Sequence, residues 1–86
     1  MDDETKLRQQ EALGFRAKEL RENELLVSIF EGLKAQKQTD WITCKDREGR
    51  EDLYFQIQGL IDIWEQIQLI IQNGEMARHS LLAKQQ

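Results

Sequence analysis

The chain contains no proline, one cysteine and one histidine among its 86 residues. Without proline, no position is barred from a helix interior and no turn is pre-set by a fixed φ. A single thiol, Cys44, excludes an intrachain disulfide. Cys44 and His79 together fall short of the four ligands a structural zinc takes, so no metal is expected. Gly32, Gly49, Gly59 and Gly74 stand isolated and match no nucleotide-binding fingerprint, so no cofactor is expected either. A membrane-length apolar run is also missing. The richest apolar window, 59–74, holds Asp62, Glu65, Gln66, Gln68 and Gln72. A carboxylate near the centre of a membrane helix costs about 2.5–3.5 kcal/mol on insertion scales. The opening Met1-Asp2-Asp3-Glu4 is acidic where a secretory leader is basic. These absences lead us to expect a soluble, intracellular protein with no membrane partner.

A basic surplus is absent too. Twelve Lys and Arg stand against sixteen Asp and Glu, a net charge of −4. That sign argues against a nucleic-acid partner, which selects for a basic face, while leaving room for a local patch. Arg16, Lys18, Arg21, Lys34 and Lys37 would form such a patch if they shared a face. Arg16, Lys18 and Arg21 are interleaved with Glu11, Glu19 and Glu22, which reads as a mixed-charge, solvated face.

What is present is helix. Glu, Gln, Lys, Arg, Leu, Ile and Ala dominate, the composition of long helices. Leu53, Ile57, Leu60, Trp64, Ile67 and Ile71 recur with a seven-residue rhythm, the coiled-coil spacing that lines one stripe along a helix. Three helical segments follow, at about 4–22, 24–43 and 47–82. Asn23 marks the first boundary as an N-cap, although the first two segments can equally be drawn as one bent helix. Asp46 is the N-cap expected for the third, with Glu48 and Glu51 suited to the helix dipole. Gly49 removes a side chain at the turn.

The fold expected is all-α: an antiparallel hairpin over 23–86, turning near 44–49, with a weaker charged N-terminal helix or arm over 1–22. Leu26, Phe30, Leu33 and Trp41 form the stripe of the second segment, with the six heptad residues of the third facing them as the hairpin core. Lys37 interrupts that stripe, its methylenes along the core and its ammonium in water. In the first segment Leu13, Ala17 and Leu20 make a narrow stripe, and charged residues fill the rest. The heptad's next positions are Gly74, Arg78 and Leu81. A glycine there signals either a bend or a close neighbouring backbone, with 75–86 expected as a polar extension and 83–86 as a fraying end.

One helix neighbour cannot cover the third segment. Phe55, Ile63, Leu69 and Ile70 lie off the stripe, and each large side chain left wet forgoes about 1.5–3 kcal/mol. These four are the expected interface, and a second copy is the expected cover, giving a homo-oligomer. A chain of this length sits near the lower limit for an independent core, and assembly is its most economical remaining support.

Catalytic chemistry is not expected. His79 has no nucleophile near it in sequence and reads as a surface histidine. Cys44 lies near Lys45 and Arg47 but reads as an inert thiol at the turn. Asp62 and Glu65, three apart on a helix, read as a solvated polar face. Trp41 and Trp64, at helical spacing among aliphatic residues, read as core.

From Trp41 onward the chain resembles a group of short helical-hairpin proteins of tailed bacteriophages and prophages. The residues that carry this are Trp41-Ile42-Thr43, then Asp46-Arg47-Glu48-Gly49-Arg50-Glu51-Asp52-Leu53, and Ile71-Gln72-Asn73-Gly74-Glu75-Met76-Ala77 with Leu81. The turn lacks the proline often found there. The resemblance implies a phage-derived protein that acts in virion assembly or host takeover, in the bacterial cytoplasm or in the virion, with another phage structural protein as a further partner. The leading expectation is a non-enzymatic, self-associating interaction protein. The alternative is a small regulator that binds a host protein or nucleic acid, such as a packaging-type DNA-recognition subunit or an acidic inhibitor.

Overall fold

The computed structural model describes residues 3–85. Three helices follow in order, α1 (Asp3–Glu22), α2 (Glu24–Thr43) and α3 (Arg47–Lys84), with no strand among the described residues. Asn23 breaks α1 from α2 in an extended conformation, φ −71° and ψ 114°. Its Oδ1 accepts the Leu26 amide at 2.9 Å, and its carbonyl accepts the amide of Val27 at 3.0 Å. The two segments are therefore separate helices, because the cap satisfies amides that a helix start leaves without partners. Asp46 repeats the motif for α3. Its Oδ2 accepts the Gly49 amide at 3.1 Å, and its carbonyl accepts the Arg50 amide at 3.0 Å. Between them α2 ends at Cys44, whose amide donates to the Asp40 carbonyl at 2.9 Å. A Cβ on Gly49 would stand 2.9 Å from Cys44 Sγ, so glycine lets the connection close tightly. Helix α3 runs on to Lys84; of the end expected to fray, Gln86 lies outside the described residues.

The contacts divide the chain into two compact units, and the division falls inside α3. One unit joins α1 to the part of α3 from Gln66 onward. Its buried residues are Gly14, Ala17, Ile71, Gly74, Ala77 and Leu81. Four of these six are Gly or Ala, and the reason is backbone contact. A Cβ on Gly14 would lie 2.8 Å from the Gly74 Cα, and one on Gly74 would lie 2.7 Å from the Gly14 Cα. Each helical glycine costs about 1 kcal/mol relative to alanine. Close approach of the two backbones offsets that cost with dispersion contacts along the crossing. Gln68 Oε1 accepts a bond from Arg21 Nη1 toward the end of α1.

The first segment is thus not a solvated arm. Its covered face carries Gly14 and Ala17, whereas Leu13 and Leu20 of the expected stripe are both exposed. Nor is the stretch after Gly74 a polar extension, since Ala77 is 2 % exposed and Leu81 is buried. The expected grouping of 66–86 with the second segment differs from the observed one: that stretch of α3 packs on α1.

The second unit, Asn23–Glu65, contains α2, the connection 44–46 and the first part of α3. Along α2 the residues Phe30, Lys37 and Trp41 meet, in that order, Trp64, Gln56 and Arg50 of α3. No residue of this unit is buried. Leu26, Phe30, Leu53, Ile57, Leu60 and Trp64 of the expected core are half-buried, and Leu33 (41 %) and Trp41 (37 %) are exposed. The shortfall is geometric, because two helices share only a seam and each side chain keeps one flank in water. Ile67 and Ile71 belong to the other unit, where Ile67 is half-buried and Ile71 is 3 % exposed.

Candidate interaction surface

Within the Asn23–Glu65 unit a groove of about 420 Å³ lies between α2 and α3. Val27, Phe30, Glu31 and Lys34 line it from α2, and Leu60, Ile61, Trp64 and Glu65 from α3. The α2 set follows the i, i+3, i+4, i+7 spacing of one helix face. Among the lining residues, Phe30 and Trp64 meet with ring centroids 5.1 Å apart and planes inclined at 56°, a favourable tilted pair. Lys37 behaves as an amphipathic spacer, half-buried with its Nζ donating to Gln56 Oε1 at 2.6 Å.

Toward the connection, Trp41, Lys45, Arg47, Arg50, Glu51, Tyr54 and Phe55 surround a shallower hollow. The Arg50 guanidinium carbon lies 4.3 Å from the centroid of the Trp41 ring, a cation–π contact. Tyr54 and Phe55 pack edge to face, with centroids 5.7 Å apart. Arg47 and Glu51 approach to 3.9 Å while both are exposed, so the pair adds little stability. On α1 the corresponding pair, Arg8 and Glu4, is 2.7 Å apart. The hydrogen bond that Arg8 donates to Glu4 Oε1, and then the Glu4 charge, holds the Arg8 guanidinium above its usual range.

The expected interface residues divide between the units. Phe55 (67 % exposed) and Ile63 are exposed in Asn23–Glu65. Leu69 and Ile70 lie in the other unit, where Leu69 is exposed and Ile70 is half-buried. Large apolar residues that the heptad reading did not stress, Leu25, Ile29, Ile42 and Tyr54, are also exposed. Among the residues weighed for chemistry, His79 is exposed on the later part of α3. The half-buried Cys44 thiol donates to the Asp46 carbonyl at 3.5 Å. Asp62 and Glu65 are exposed, and Glu65 forms part of the groove rim. No group of three or more His, Cys, Asp or Glu side chains able to hold a metal occurs among the described residues. No helix there is long and apolar enough to cross a membrane.

Compared with protein-family models, curated proteins and solved structures, the chain matches none.

Proposed function

We propose that this chain is a non-catalytic interaction protein that assembles with copies of itself through the apolar surface of the Asn23–Glu65 unit. One observation carries the reading. That unit buries no residue, yet it exposes eight large apolar side chains: Leu25, Ile29, Leu33, Trp41, Ile42, Tyr54, Phe55 and Ile63. Large apolar side chains left exposed in this number mark contact sites.

In this reading α2 and the first part of α3 form an antiparallel hairpin. The opposite order of their contacts, Phe30 with Trp64 through to Trp41 with Arg50, supports it. Two such hairpins would complete one core between them. The likeness of the stretch from Trp41 onward to phage and prophage hairpin proteins suggests particle assembly in a bacterial host as the setting. A nucleic-acid partner is less well supported by the charges. Arg16 and Lys18 are two residues apart and so point to nearly opposite sides of α1, while Lys37 is engaged with Gln56.

The test is Phe55→Glu combined with Ile63→Glu, measured by sedimentation equilibrium and circular dichroism. Both side chains are already exposed, so helix content should hold while the assembly dissociates. A variant that sediments as the parent does would exclude this surface from self-contact.

A further inference from the structure

Residues 45–52 hold four carboxylates and three cations, a mixed-charge run in sequence. The fold sorts them. All three cations, Lys45, Arg47 and Arg50, line the hollow of about 540 Å³ beside the connection, and of the four carboxylates only Glu51 does. Asp46 is turned instead to the Gly49 amide as the cap of α3. Three cations and one carboxylate give the hollow a net charge of +2, in a chain whose net charge is −4.

These cations are uncommitted. Among the described residues neither Lys45 nor Arg50 forms an ion pair. Arg47 reaches Glu51 only at 3.9 Å, with both side chains exposed. Arg50 is held by the Trp41 ring, so its guanidinium fork carries no carboxylate and suits the oxygens of a phosphate. Rings stand beside the charges. Tyr54 and Phe55 are 54 % and 67 % exposed, and open aromatic faces stack on the flat ring of a base. Arg47, Arg50, Glu51 and Tyr54 keep the i, i+3, i+4, i+7 spacing, so one face of α3 presents charge and ring together.

We infer that this hollow binds a nucleoside monophosphate. Arg50 and Lys45 take the phosphate, the base stacks on the exposed rings, and Glu51 accepts from the ribose hydroxyls. The volume lies within the range of about 300–1,000 Å³ that small-ligand sites occupy. Charge selects a single nucleotide over a strand. A phosphate monoester carries about −1.5 to −2 at pH 7, which matches the hollow. A strand would lay further phosphates over an acidic chain. The site goes beyond the self-association reading and does not rest on it, since every lining residue belongs to one unit of one chain.

The test is an NMR titration of the full chain with adenosine monophosphate, followed on the indole N–H signals of its two tryptophans. The Trp41 signal should move and saturate with a dissociation constant of about a millimolar or below. Trp64, which lines the other groove, should stay in place. Inorganic phosphate and adenosine should each bind about tenfold more weakly, because each keeps only half of the contacts. Arg50→Gln and Lys45→Gln should each weaken adenosine monophosphate about tenfold with helix content unchanged by circular dichroism. Lys45 lies in the connection, so its variant alters no helix. Arg16→Gln, an equal change of charge on α1, should leave binding unaltered. No movement of Trp41 at about ten times the expected constant would overturn the inference. So would equal weakening by Arg16→Gln, or inorganic phosphate that binds as tightly as the nucleotide. A single-stranded oligonucleotide that binds where the mononucleotide does not would make the ligand a strand, and would overturn it as well.

Discussion

At Gly14 and Gly74 there is no room for even a methyl group, because each position looks onto the other's Cα. Gly74→Val should therefore lower stability by about 1–3 kcal/mol through overpacking, read from the urea midpoint. The two caps should each be worth about 1 kcal/mol. Asn23→Ala and Asp46→Ala should each lose that much in the same assay, and Asn23→Asp should lose little. These caps were legible in the sequence because capping is local chemistry, an acceptor side chain three residues before the amide it binds. The glycine contact was not. Gly74 stood out as a gap in a stripe, but its counterpart sits sixty residues earlier in a segment with little apolar bulk. Reading by bulk favoured Leu13 and Leu20, whereas packing chose the neighbouring face that carries Gly14 and Ala17.

Helix boundaries followed the sequence closely, and helix partners did not. The heptad of α3 continues from Leu53 through Gly74 to Leu81, but a repeat says only that some neighbour lies along it. It does not say that one stretch pairs with α2 and the next with α1. The difference should be measurable at adjacent residues. Leu81 is buried and Leu82 is about half exposed. Leu81→Ala should cost about 2–4 kcal/mol by creating a cavity, while Leu82→Ala should stay within about 0.5 kcal/mol. Equal losses would show that the later part of α3 is not packed as described. For the candidate interface, the exposure of Phe55 and Ile63 was readable from their place off the stripe. The exposure of Leu25 and Ile29 was not, since it depends on how little α2 and α3 cover one another.

For the molecule as a whole, exposed apolar surface is the property that calls for an explanation. Assembly through uncharged side chains should respond weakly to added sodium chloride, because there is little charge to screen, and should tighten in sulfate. A nucleic-acid partner would instead be lost steeply as salt rises. Dissociation by moderate sodium chloride would therefore contradict an apolar contact. The most direct measurement is the native mass of the unmodified chain by sedimentation equilibrium, from low to high micromolar concentration. A mass rising with concentration from 10.2 kDa to at least twice that value is the expected result. A single 10.2 kDa species across the whole range, with no binding of an apolar dye, would contradict it.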